Sequence, residues 1–152
     1  MKKFQFTLGK LLDYKGQVLE KEKNDLAALN LSKAEAYENK LRLESEIKKA
    51  QDDFNIKAQT GVSPMEMTLF SGHHKSLRLR IEEAEREIAA LETAVEKQTG
   101  VVTEASKEVK SLEKLEEKQL ADYKFKANKA DEQFIEEYVN GASVRASLAE
   151  VS

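Results

Sequence analysis

Residues 77–112, LRLRIEEAEREIAALETAVEKQTGVVTEASKEVKSL, decide the fold. Within them Leu77, Ile81, Ala84, Ile88, Leu91, Val95, Gln98, Val102, Ala105, Val109 and Leu112 step by alternating fours and threes, and Gln98 alone is not apolar. The positions between them are mostly Glu, Lys, Arg, Ser and Thr. On a helix this spacing draws one apolar line along one side, and about three or four heptads of it already argue for a coiled coil. Here it lasts about five.

Beyond Leu112 the strict register falls on Glu116 and Gln119, whereas a skip of four restores an apolar row of Leu120, Tyr123, Ala127, Ala130, Phe134 and Tyr138. Such an insertion is a stutter, which unwinds a supercoil locally without breaking the helix. Asn140-Gly141 then offers a helix stop, because glycine accepts the left-handed conformation of a helix end. The tail after it, ASVRASLAEVS, has little to bury and is expected to fray.

Upstream of the deciding stretch lies the chain's main punctuation, Gln59-Thr60-Gly61-Val62-Ser63-Pro64-Met65-Glu66. Gly61 suits the position just past a helix, Ser63 an N-cap, Pro64 the first helical residue, and Glu66 completes a Ser-x-x-Glu capping box. One helix ends and the next begins within about four residues, which suits only a reversal between antiparallel neighbours.

The first half carries a weaker stripe of the same spacing: Leu8, Leu12, Leu19, Leu26, Leu29, Ala36, Leu43, Ile47, Ala50 and Phe54, interrupted by Lys15, Glu22, Lys33 and Lys40. Lysine can lay its methylene stem along an apolar seam, so these interruptions weaken the helix without abolishing it. The expected architecture is all-α: a helix over about 4–59, a tip at about 60–63, a helix over about 64–139 and a frayed tail over 140–152, forming a single antiparallel coiled-coil hairpin. At about 1.5 Å per residue the helices run roughly 85 and 110 Å, and the second overshoots the first.

Composition agrees with that architecture. Of 152 residues 35% are charged and 40% hydrophobic, with one Pro, no Trp and no Cys. Disulfides and thiolate metal sites are excluded. The net charge of -3 is built from acids and bases that alternate along the chain, so no basic stripe exists for a nucleic acid. The apolar residues of MKKFQFTLGK are broken by Gln5, Thr7 and Lys10, which is no secretory segment, and no run approaches a membrane span. The expectation is a cytoplasmic protein without direct membrane insertion, monomeric in isolation.

Catalytic chemistry has little foothold. There is no Gly-rich phosphate loop, and His73-His74 point about 100° apart on a helix with no carboxylate at metal-ligand spacing. Those histidines read as solvated residues near the tip. Carboxylates on an open coiled coil would not be desolvated enough to acquire a catalytic pKa. No enzyme activity, cofactor or metal is expected. What exceeds a seam is apolar surface at both ends: Met65, Met67, Leu69, Phe70 and Leu77 near the tip, and Phe4, Phe6 and Leu11 with Phe125, Phe134, Ile135, Tyr138 and Val139 at the other. Exposed methionine and aromatic clusters suit protein partners.

The opening MKKFQFTLGKLLDYKGQVLEKEK, the tip GVSPMEMTLFSGHHKSLRLRI and the block SLEKLEEKQLADYKFKANKADEQFIEEY together resemble the FliJ family of flagellar export proteins, through a Phe-x-Phe-x-Leu-x-x-Leu-Leu start, a Gly-x-Ser-Pro reversal and an acidic-aromatic ending. The resemblance implies a cytoplasmic coiled-coil component of flagellar type III export, peripheral to the inner membrane when assembled. It implies binding to the hexameric export ATPase, to the export-gate membrane protein and to substrate chaperones. The ATPase-facing residues it implies are Phe4, Phe6, Leu8, Leu11, Leu12, Phe125, Phe134, Ile135 and Tyr138. The gate-facing ones are Ile47, Phe54, Phe70 and Leu77, although His73-His74 stands where the family pattern expects a bulky apolar residue. The equivalent adaptor of a virulence secretion system, a generic structural coiled coil and a homodimer using its stripe between chains fit the same periodicity.

Overall fold

The computed structural model describes residues 2–151. It contains α1 (Gly9–Thr60, 52 residues) and α2 (Pro64–Val151, 88 residues), packed against each other, with no strand among the described residues. The reversal is built as its residues dictate. Gly61 holds φ at 101°, the left-handed conformation of a helix end, and its N–H donates to the Ala58 carbonyl at 3.2 Å. The Glu66 N–H donates to Ser63 Oγ at 3.2 Å while the Ser63 N–H donates back to Glu66 Oε2 at 3.3 Å, which closes the capping box.

The chain divides into two compact units, Leu19–Glu104 and Met1–Val18 with Ala105–Ser152. In the first, α1 and α2 run antiparallel: Phe54 stacks on Phe70, Lys40 reaches Glu85, Tyr37 meets Glu92 and Glu22 meets Gln98, so the partner number rises as the α1 number falls. Its core is Leu43, Leu77 and Ala84 with Ile47 and Ile81 packed on it, and Ala36 and Ile88 are buried as well. Every position of the deciding stripe from Leu77 to Gln98 is buried or half-buried, and so is every stripe position of α1 from Leu19 to Phe54. The two polar interruptions Glu22 and Gln98 oppose each other. Gln98 Nε2 donates to Glu22 Oε2 at 2.6 Å and to the Glu22 carbonyl at 3.0 Å, so neither amide nor carboxylate is left unmet in the seam.

In the second unit Lys15 Nζ reaches Glu108 at 2.8 Å, and Val109 is the buried position. Between residues 115 and 120 both registers are half-buried, Glu116 and Gln119 on the strict one and Leu120 on the shifted one. From Tyr123 only the shifted row is covered, and it ends at Ala127. Ala130 and all of residues 131–140 are exposed.

Two helix boundaries differ from the expected ones. α1 begins at Gly9, not near residue 4. Phe4 and Phe6 are half-buried on either side of exposed Gln5 and precede the helix. Phe4 lies 5.5 Å from the Tyr123 ring, and the Tyr123 hydroxyl donates to the Lys2 carbonyl at 2.5 Å. At the other end α2 does not stop at Asn140-Gly141 but continues to Val151, so residues 142–151 lie in the helix. Gly141 has no positive φ, and Ala142, Arg145, Ala146, Leu148 and Ala149 are helix formers that carry the hydrogen bonding past it. Arg145 Nε also donates to the Gly141 carbonyl at 3.3 Å.

Candidate functional site

At the end formed by the chain's N-terminal residues, the segment before α1 holds Phe4 and Phe6 half-buried, followed by Leu12 half-buried and by Leu8 and Leu11 exposed at 38% and 41%. The ring that meets Phe4 is Tyr123, a seam residue, and not Phe125. Phe125 points outward with the Lys129 ammonium 5.5 Å from its ring centroid. Phe134, Ile135 and Tyr138 stand on the part of α2 that has no covered row, at 70%, 60% and 66% exposure. The structure thus separates the expected nine residues into half-buried Phe4, Phe6 and Leu12, and an exposed set of Leu8, Leu11, Phe125, Phe134, Ile135 and Tyr138. The exposed set continues beyond those expected residues through Val139, Val144, Leu148 and Val151. An expected stop at Gly141 hides the last three from a reading by periodicity.

Near the tip the expected residues split in the same way. Leu77 is 1% exposed and Ile47 packs on its cluster, so both belong to the seam. Phe54 and Phe70 stack with centroids 4.0 Å apart and planes 12° from parallel, each half-buried. His73 is exposed, but His74 is half-buried with its ring 5.6 Å from Phe70. Only one of the two histidines is therefore solvated, because His74 falls one turn after Phe70 on the same side of α2. A shallow groove beside this stack is lined by Gln51, Phe70, Ser71, His74, Lys75 and Arg78. Met65, Met67 and Leu69 are exposed, as are Ile56 and Leu79, two residues outside the expected patches. The spacing of Leu79 from Met65 and Leu69 is the signal that could have found it, masked by the stronger stripe that starts at Leu77.

Electrostatic perturbation is sparse and lies at interhelical contacts. Tyr37 donates to Glu92 at 2.5 Å, and that hydrogen bond, with burial second, holds the hydroxyl above the usual tyrosine value. The hydrogen bond to Glu108, reinforced by its charge, likewise raises the Lys15 ammonium. Among the described residues no group of three or more His, Asp or Glu could hold a metal, and no helix is long and apolar enough to cross a membrane. The arrangement offers helical faces and half-buried rings, which is the equipment of a protein-binding surface.

A family model described as Flagellar FliJ protein matches residues 4–147. No curated protein and no solved structure matches the chain.

Proposed function

Because the chain belongs to the flagellar FliJ protein family and is thereby a component of flagellar type III export, we propose that it acts without catalysis, as a coiled-coil adaptor that binds the hexameric export ATPase through its terminal end. The observation that carries this reading is the unpartnered end of α2, where Phe134, Ile135 and Tyr138 are 60–70% exposed on a continuous helix. An amphipathic helix with apolar anchors one turn apart suits a groove in another protein. Phe4, Phe6, Leu8, Leu11, Leu12 and Phe125 form the shoulder from which that helix projects in this reading.

The gate-facing contact of the same reading uses the half-buried rings of Phe54 and Phe70, with Ile47 and Leu77 acting from behind as the packing that holds those rings in place. Substrate chaperones are further partners, and the adaptor works in the cytoplasm against the inner face of the membrane. The export ATPase of the same organism, assayed for ATP hydrolysis with this protein titrated in, tests the proposal. Stimulation should saturate near one chain per hexamer and be lost with Phe134→Ala plus Tyr138→Ala. Equal stimulation by that double variant, or none by the parent chain, would sink it.

A further inference from the structure

The chain leaves two of its own surfaces uncovered, and they match. On α2, Met65, Leu69, Gly72, Ser76 and Leu79 repeat the four-and-three step of the seam, yet all five are exposed. At about 100° per residue this line lies about a third of a turn around α2 from Leu77 and Ala84, which face α1. It carries no charge, and Met65, Leu69 and Leu79 are 75%, 68% and 55% exposed. That is a short second line at heptad spacing, left uncovered by the described residues. Gly72 stands at its middle, and a Cβ there would meet nothing within 4 Å. Packing inside the chain therefore gives no reason for a glycine that weakens a helix interior. A neighbouring helix does, because small residues at a contact set how closely two axes approach.

Charge identifies the neighbour. Residues 67–81 hold Lys75, Arg78 and Arg80 and no Asp or Glu, a formal charge of +3 in a chain whose total is -3. None of the three forms an ion pair among the described residues. Residues 131–151 are the converse: five acids (Asp131, Glu132, Glu136, Glu137 and Glu150) against Arg145, one minus five, or -4. They are helical, and Phe134, Ile135, Tyr138 and Val139 are at least 56% exposed. Gly141, Ala142, Ala146 and Ala149 give this helix small positions as well.

We propose that a second copy of this chain covers the outer face of α2 at residues 65–79, its acidic C-terminal segment lying along that face with Asp131 and Glu137, which flank Phe134 and Tyr138, toward Lys75 and Arg80, which flank the Met65–Leu79 line. One contact then removes two exposed apolar faces from water, and opposite charges set the pairing. At low concentration the chain remains a monomeric hairpin, and the contact forms by mass action. The inference does not depend on the ATPase reading, although both use Phe134 and Tyr138, so a bound ring and a bound second copy exclude each other.

Sedimentation equilibrium of the full chain from about 1 to about 200 µM tests this. The weight-average mass should rise above 17.2 kDa with concentration. The association should weaken several-fold between about 0.05 and 0.5 M salt. Lys75→Glu with Arg80→Glu should stay monomeric, and so should Asp131→Lys with Glu137→Lys, whereas an equimolar mixture of the two variants associates again. Gly72→Leu should lose association while keeping or raising the melting temperature, which separates the interface from folding. A mass constant at 17.2 kDa throughout overturns the proposal. So does association that survives both charge reversals, or a mixture that fails to restore it.

Discussion

Two stretches of α2 carry apolar residues at the same heptad spacing and meet opposite fates. Leu77, Ala84 and Ile88 are exposed by 1%, 2% and 7%, whereas Phe134 and Tyr138 are exposed by 70% and 66%. Nothing local distinguishes them, since both lie in one unbroken helix with charged residues between the apolar ones. The difference is the neighbour across the seam. Leu77 to Ile88 lie along α1, while the N-terminal residues reach α2 at Tyr123 and none of the described residues covers the apolar side chains of α2 beyond Ala127. The same pattern is therefore core where the chain supplies a partner helix, and exposed where it does not.

An aspartate in each stretch is the harshest way to break that comparison. Ile88→Asp puts an unpaired charge in the seam and should cost about 4 kcal/mol, whereas Tyr138→Asp should leave the melting curve within about 0.5 kcal/mol of the parent. Equal losses would mean that the C-terminal segment is also core. Truncation is the milder version. Leu77→Ala should cost about 2–5 kcal/mol by urea unfolding, because the narrow seam cannot collapse around the lost volume, and Phe134→Ala should cost almost nothing.

The reversal sharpens the comparison, because it is what brings α1 alongside the first stretch. Ser63→Ala removes the hydroxyl that caps α2 and should cost about 1 kcal/mol in the same urea titration. A smaller effect comes from pH. Tyr37 and Lys15 both have raised pKa values, so the stability they add is complete below the ordinary values of 10.0 and 10.5 and is lost as pH rises through the raised ones. The melting temperature should therefore sag in alkali above that range, and Tyr37→Phe with Lys15→Met should flatten the sag. An unchanged sag in the double variant would assign it to other groups.

Much of this is legible in the sequence, for a physical reason that also marks where reading fails. A heptad stripe must be buried somewhere, so the seam of Leu77 to Leu112 and its reversal at Gly61-Val62-Ser63-Pro64 can be placed from spacing and capping chemistry alone. The polar residues Glu22 and Gln98 are visible as interruptions, but their meeting is not, because pairing depends on the register set by the tip. Phe4 and Phe6 fit a helix start by composition, and only the structure shows them half-buried ahead of α1, with Phe4 against Tyr123. Gly141 permits a helix end without requiring one, which leaves the exposed row of Val144, Leu148 and Val151 unread. Periodicity also cannot say which of two overlapping stripes is inside, so Leu79 disappears beside Leu77.

Hydrogen exchange along α2, with and without the export ATPase, tests most directly whether the two stretches have the different roles assigned to them. In the free chain, amides of residues 77–95 should exchange slowly and those of 131–151 fast, because an unpartnered helix is marginal in water. Adding the ATPase should slow residues 131–151 and leave residues 77–95 as they were. Slow exchange at 131–151 in dilute free protein, or protection by the ATPase that appears anywhere but there, would contradict the account.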